Sequence, residues 1–369
     1  MNRDTLVSWF IKNFNQYHID MMNSNHTVNP DEPNIFHSEG TVWTHTMMVM
    51  TWIMARHSVN YDGLVEVKDD TYTILLTAGL LHDLGKPVCE EENEANETKP
   101  LRNSFKGHEG VSVLLSIGVL KKLQEDFPEY YSDRVVEYII KVVGTHGVAL
   151  DGEDLDPYFY SLRNSFRIAD KRGAIRQVDE GLFSQYSKRK YAQRGNPQPG
   201  KEIVFMVGLP CAGKSTTIKN ECCQHDEYVV LSRDNALFEY YEHTLKKPEG
   251  GLDYSGVYKY IHNDEDYKKE FDQYFEDKIR MYSKNIDKVI VDMTMMPMSS
   301  RRKMMNKFPN HKRRCVVVMT DWESLQSRND ERRELEGKNI PPFVFENMAK
   351  SFVYPVLEEG FEDIKLIIN

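Results

Sequence analysis

The 369-residue chain is longer than one hydrophobic core usually organises, and its 40% hydrophobic and 28% charged residues exclude a mainly disordered polymer. A net charge of −10 excludes a generally basic nucleic-acid coat but leaves room for a local basic groove. The five cysteines (Cys89, Cys211, Cys222, Cys223 and Cys315) form no C-x-x-C pair and are odd in number, which fits reduced thiols better than a disulfide framework. The start MNRDTLVSWFIKNF has no basic segment leading into a long apolar stretch, and no run is long enough to span a bilayer. A cytoplasmic, two-domain protein without a membrane partner is expected.

Up to Tyr191 the apolar spacing is helical, with Leu6, Trp9 and Phe10 on one face and Val135, Val136, Ile139 and Ile140 on another, so residues 1–191 are predicted to be all-α. The acidic stretch from Glu90 to Glu97 reads as a solvated loop. The apolar run Ile74 to Leu81 ends in His82-Asp83, an imidazole and a carboxylate side by side, suited to a divalent cation and costly to bury unpaired. His45, His108, His146 and Asp170 stand in similar short segments beside helix-packing residues, and the five segments together predict convergence on one site. His37 is a further candidate for a substrate contact. His18, His26, His57 and His225 have no motif around them and read as structural or surface residues.

Residues 192–200, AQRGNPQPG, have linker composition. Beyond them, residues 201–369 alternate helical segments with short apolar runs: Ile203 to Val207, Tyr228 to Leu231, Val289 to Val291 and Cys315 to Met319. Such runs are strands covered on both faces, so a parallel sheet in an α/β domain is predicted. The first strand leads into Gly208-Leu209-Pro210-Cys211-Ala212-Gly213-Lys214-Ser215, a full match to G-x-x-x-x-G-K-[ST], with a helix from Thr216 onward. Its backbone would cradle the phosphates of ATP or another NTP, Lys214 would reach the β and γ phosphates, and Ser215 would hold Mg²⁺. Asp234, just past the second strand in LSRDN, is placed to take a proton from an attacking hydroxyl, or else to cap the next helix. Arg328 and Arg332 share a helix face and could clamp a transferring phosphoryl group. Asp292 closes the third strand and could orient the Mg²⁺ or its water. Arg301-Arg302 could meet a nucleic-acid backbone or simply lie on a surface helix.

The four ordered segments GLPCAGKST, LSRDN, VDMTMMPMSSRRK and SRNDERRELEGKNIPPFVFENMAKSF resemble the polynucleotide 5′-hydroxyl kinase family over nearly all of residues 200–369. The resemblance implies Asp234 as general base, Lys214 with Arg328 and Arg332 on the phosphates, and a lid around the arginine segment. Met295 departs from the family pattern D-x-T-N. The order H…HD…H…H…D in the first half resembles the HD phosphohydrolase superfamily. That likeness implies His45, His82, Asp83 and Asp170 around a first metal, with His108 and His146 serving a second. A metal lowers the pKa of bound water and polarises a phosphoryl oxygen. Lys86, one turn beyond His82, would neutralise substrate phosphate. Histidine and carboxylate ligands suit Mn, Fe, Co, Ni or Zn, and Mg less well.

In this order the two halves resemble HD-domain and polynucleotide kinase fusions that heal RNA ends. That implies phosphorylation of 5′-OH ends by the second domain, hydrolysis of 2′,3′-cyclic or terminal phosphate by the first, RNA or DNA ends as substrate, and sealing by a separate ligase. A small-molecule (nucleoside or sugar) kinase fused to an HD nucleotide phosphohydrolase is the alternative, and a nucleotide-gated switch a third reading.

Overall fold

Apolar residues at helical spacing produce α1 (Arg3–Asn13) and α2 (Asn15–Asn23), which bury Leu6, Trp9, Phe10 and Met21. The computed structural model describes residues 1–29, 31, 34, 37–58, 70–93, 102–148, 156–175, 191–192, 195–222, 227–244, 252–336, 338 and 340–369. α3 (Val42–Ser58), α4 (Asp70–Leu81) and the short α5 (Lys86–Cys89) follow. A two-stranded antiparallel ribbon comes next, β1 (Glu91–Asn93) with β2 (Arg102–Ser104). α6 (His108–Asp126), α7 (Asp133–Val143) and α8 (Pro157–Gly173) complete the helical part. The ribbon and an isolated bridge, Asn25 to Thr41, depart from an all-α reading. The ribbon makes Glu91–Asn93 an exposed strand, while residues 94–97 of the acidic stretch lie outside the described residues.

α4 is apolar on every side, and each residue from Thr73 to Leu81 is buried, which makes it the central helix, packed by α3, α7 and α8. α7 turns Val135, Val136, Ile139 and Ile140 inward, with Ser132 as its N-cap; Asp156 caps α8 by accepting from the Phe159 amide at 3.0 Å. Past α4 the chain turns through His82 to Gly85. A side chain at Gly85 would stand 2.6 Å from the His108 carbonyl oxygen and the Ser112 nitrogen, so only glycine lets this turn lie against α6.

The second part runs β3 (Glu202–Val207), α9 (Lys214–Thr217), a π-helical turn (Ile218–Cys222), β4 (Val229–Ser232), α10 (Arg233–Thr244), α11 (Tyr254–His262) and α12 (Glu265–Asn285). It continues through β5 (Lys288–Asp292), α13 (Met298–Lys307), β6 (Lys312–Met319), α14 (Trp322–Glu336), α15 (Pro342–Lys350), a 3-10 turn (Leu357–Glu359) and β7 (Asp363–Ile368). The five strands form one parallel sheet in the order β4-β5-β3-β6-β7. The four apolar runs of the sequence are four of these strands. β7, at the sheet edge, has no fully buried residue and carries a fifth short apolar run, Leu366 to Ile368, outside those four.

Packing divides the chain into a helical unit, Met1–Arg189 with Ala349–Tyr354, and an α/β unit, Lys190–Met348 with Pro355–Asn369. Within the helical unit the late segment buries Phe352 and Tyr354. Among the described residues no helix is long and apolar enough to cross a membrane.

Candidate metal centre and candidate phosphate site

The turn after α4 buries His82 and Asp83 almost completely, at 0% and 1% exposure. His82 Nδ1 lies 2.9 Å from the Gly79 carbonyl oxygen, which can only accept, so this nitrogen carries a proton and Nε2 is the atom left to face the centre. His146 Nδ1 likewise donates to the Val143 carbonyl at 2.7 Å and His108 Nδ1 to the Phe105 carbonyl at 2.8 Å, and the Nε2 atoms of these two rings lie 3.1 Å apart. His45, in the first turn of α3, sets Nδ1 2.9 Å from Glu39 Oε1 and Nε2 3.0 Å from Asp170 Oδ1 on α8.

Four imidazoles thus present Nε2 towards Asp83. Its Oδ2 lies 3.1 Å from His82 Nε2 and 3.8 Å from His45 Nε2, and its Oδ1 lies 3.4 Å from His108 Nε2 and 3.9 Å from His146 Nε2. Among the described residues three groups could hold a cation: His45-His82-Asp83 and Asp83-His108-His146, with Asp83 common to both, and His26-His37-Glu39 beside them. Asp170 joins the first, 3.7 Å from His82 Nε2. His82 Nε2 and both Asp83 oxygens are buried without a well-formed hydrogen bond, a costly state that a cation would relieve. The donor set fits one or two divalent cations. Burial would raise the Asp83 carboxyl, but His82 and Lys86 hold it well below the usual carboxylate range. Burial pushes His146 down to about 4, helped by His108 and His82. For His45 burial is outweighed by its acceptors Asp170 and Glu39, and its pKa rises to about 9. Lys86 is itself buried, its ammonium 2.7 Å from Asp83 Oδ2 and 2.9 Å from His26 Nε2, so its charge serves the carboxylate.

In the α/β unit, β3 delivers the phosphate loop to the middle of the sheet, between β5 and β6. This is the point where strand order reverses and ligands bind outside the carboxyl ends. Gly213 has φ of 103°, and a side chain there would meet Asn369 Nδ2 at 2.5 Å. Lys214 folds back on the loop, donating to the carbonyls of Gly208 at 3.0 Å and Leu209 at 2.8 Å; burial pushes its pKa down to about 8 against the pull of Asp292. Ser215 Oγ donates to Asp292 Oδ2 at 3.4 Å. From α14, Arg328 Nη1 donates to the Cys211 carbonyl at 3.1 Å, and Arg332 Nη1 lies 3.5 Å from Cys211 Sγ. Both guanidiniums therefore stand at the loop.

Asp234 lies in the first turn of α10, but the cap is Ser232, whose Oγ accepts from the Asn235 amide at 3.4 Å. The Asp234 carboxylate is free of capping duty. It accepts from Tyr254 Oη at 2.9 Å and from Lys338 Nζ; the side chain stays about half exposed, and Lys338 outweighs its partial desolvation and keeps its pKa below the usual value. Arg301 does not meet solvent. It is fully buried in a two-pronged pair with Glu359, at 2.8 and 2.6 Å, and also donates to the Met295 and Met296 carbonyls, so it cannot contact a nucleic-acid backbone. Met295 is buried with φ of 45°, a region asparagine enters more readily than methionine.

Residues 42–177 match the HD domain family model, and residues 203–355 match the AAA domain family model. The chain joins an HD domain to an AAA-type P-loop domain. Among curated relatives, heterogeneous nuclear ribonucleoprotein U-like protein 2 of Homo sapiens and that of Mus musculus are each 24% identical over 156 residues, 42% of this chain and 20% of the relative. The chain thus spans about a fifth of the length of these relatives. Among solved structures, a chain of the Pnkp1/Rnl/Hen1 RNA repair complex is 21% identical, covering 46% of both chains with a TM-score of 0.32. A putative kinase from Chloroflexus aurantiacus is 10% identical, covering 48% of this chain and 87% of its own, with a TM-score of 0.33. Chaetomium thermophilum Kti12 in complex with ADP-AlF3 is 13% identical, with 45% and 88% covered and a TM-score of 0.31.

The HD half contains residues that sequence reading left out. His26 and Glu39 reach the centre because an isolated bridge, Asn25 to Thr41, closes the loop before α3. Glu39 accepts from His37 Nδ1 at 2.8 Å and from the Ile175 amide at 2.9 Å in addition to facing His45. His26 stacks on His37, with ring centroids 4.6 Å apart and planes 14° from parallel. Neither has a spacing signal, since loop closure alone brings them in. His18 packs edge-on against Trp43, 4.5 Å between centroids, as a structural residue does. His225 and the His57 side chain lie outside the described residues.

Proposed function

We propose that the protein heals nucleic-acid ends, with RNA the favoured substrate. The AAA-type half moves the γ phosphate of ATP or another NTP to a 5′-OH, and the HD half hydrolyses a 2′,3′-cyclic or terminal phosphate. The observation that carries this reading is Asp234, an ionised carboxylate just beyond a strand end, close enough for its charge to act on Lys214. Transfer to a hydroxyl needs such a proton acceptor; a domain that only senses a nucleotide does not.

In the kinase step the 5′-hydroxyl oxygen bonds to the γ phosphorus as the bond to the bridging oxygen breaks, and Asp234 takes the hydroxyl proton. Tyr254 holds one carboxylate oxygen and leaves the other, which Lys338 covers in the free protein, for the incoming hydroxyl. Lys214, Arg328 and Arg332 swing from loop carbonyls and Cys211 to the phosphates, where their charges offset the charge on the transferring group. Mg²⁺, held by Ser215 with Asp292 behind it, would draw charge from the same oxygens.

In the HD half, His45, His82, Asp83 and Asp170 would hold one divalent cation, and His108 and His146 with Asp83 a second, supplying an acidified water and a polarised phosphoryl oxygen. The Nδ1–H bonds of His82, His108 and His146 to backbone carbonyls keep each Nε2 aimed at the centre. A product with 5′-phosphate and 2′,3′-diol ends suits a separate ligase, and a cytoplasmic location fits the thiols.

The test is to incubate the protein with γ-labelled ATP, Mg²⁺ and a 5′-OH RNA or DNA ending in a cyclic phosphate, then analyse both ends. Asp234→Asn should abolish 5′ labelling and spare the 3′ reaction, and Asp83→Ala should do the reverse. Loss of both activities in either variant, or better labelling of a nucleoside than of the oligonucleotide, would defeat the proposal.

A further inference from the structure

α11 carries three aromatic rings at intervals of four residues, Tyr254, Tyr258 and His262, on a face next to the one that buries Val257 and Ile261. Tyr258 is 47% exposed, unusual for so large a ring on a packed helix. Its plane lies 13° from that of His262 with centroids 4.0 Å apart, a preformed stack, and His262 is fixed from below by the edge of Phe271 at 6.2 Å. Tyr254 and Tyr258 are 22° from parallel with centroids 6.5 Å apart. One base inserted between two rings needs about two stacking steps, ~7 Å. The acids flanking the helix are engaged elsewhere: Asp253 caps α11 and Asp264 caps α12.

The ladder starts at the reacting centre. Tyr254 Oη donates to Asp234, and its ring carries the Lys338 ammonium 3.8 Å from its centroid. From Tyr254 to His262 the helix rises about 12 Å, close to three stacked nucleotide steps. We infer that Tyr254, Tyr258 and His262 form a stacking platform for the first bases of a single-stranded acceptor whose 5′-OH lies at Asp234. This deepens, and rests on, the assignment of the second half as a polynucleotide kinase. Stacking on π faces is tolerant of base identity, so the platform selects for strand length and unpaired ends without reading sequence. It also assigns the tyrosine-rich stretch after α10 a role beyond covering the sheet.

The experiment uses the full chain and 5′-OH oligonucleotides of 1 to 12 nucleotides, with 2-aminopurine at the second or third position for binding. In the wild type kcat/KM should climb with length and level off near four nucleotides, and the probe should be quenched on binding. Tyr258→Ala should lower kcat/KM on the longer acceptors about 10-fold, mainly through KM, flatten the length dependence and relieve the quenching. Tyr258→Phe should keep all three. A Tyr258→Ala protein with wild-type length dependence and quenching overturns the platform. If the wild type labels no oligonucleotide at all, the kinase assignment falls, and quenching that survives Tyr258→Ala would still reject the platform separately.

Discussion

Glu39 illustrates how one residue of a neighbouring cluster can organise the centre built on Asp83. Its Oε1 faces the Nδ1 atoms of His37 and His45, and its Oε2 ties down the backbone just after α8, the helix that carries Asp170. It is a positioning residue, and Glu39→Gln should weaken divalent-metal affinity roughly 10- to 100-fold, read by chelator competition or calorimetry without any turnover. Lys214 offers a pH signature. Its pKa is about 8 when folded and about 10.5 when unfolded. Between these values the unfolded chain binds more protons, so the penalty of burying this charge is full below about pH 8 and fades towards 10.5. Lys214→Met should therefore stabilise the nucleotide-free protein by ~3 kcal/mol at pH 7, and the gap to wild type should close as pH rises. Urea unfolding of both proteins at pH 7 and pH 10 checks this.

At the scale of elements, the Arg301 and Glu359 pair joins α13 to the 3-10 turn, and Arg301 also holds the backbone at Met295 and Met296, shortly after Asp292. Glu359→Leu leaves a buried guanidinium unpaired and should cost about 3–5 kcal/mol, whereas adding Arg301→Leu should recover most of it. Denaturant midpoints of the single and double variants measure the difference. Elements were legible where burial is uniform. β3, β5 and β6 sit inside the sheet and show as unbroken apolar runs, and α4 shows as a helix with no polar side. The ribbon of β1 and β2 did not show, because it carries only polar residues, and β7, an edge strand with no fully buried residue, offers only the short run Leu366 to Ile368. The basic pair Arg301-Arg302 misled for a related reason: charge suggests surface, and only the partner Glu359, 58 residues away, makes burial of Arg301 tolerable.

At the scale of the whole chain, the helical unit includes Ala349–Tyr354, a segment far along the sequence. A fragment of residues 1–191 lacks it, and each lost large apolar side chain is worth about 1.5–3 kcal/mol of burial. Such a fragment should melt several degrees lower than the corresponding unit in the full chain and bind the apolar dye ANS. Calorimetry and dye titration test this.

The residue types and spacings alone determined that the chain has a helical half bearing imidazoles and carboxylates, a phosphate loop between strand and helix, and a carboxylate and paired arginines in order after it. These are local facts, carried by periodicity of about 3.6 or 2 and by short motifs. Tertiary structure alone decided that Asp83 is shared by two of the metal-capable groups, that loop closure adds Glu39 and His26, that Ser232 relieves Asp234 of capping, and that an aromatic ladder ends at that carboxylate. Each of these depends on distances between residues remote in sequence, which no local pattern encodes.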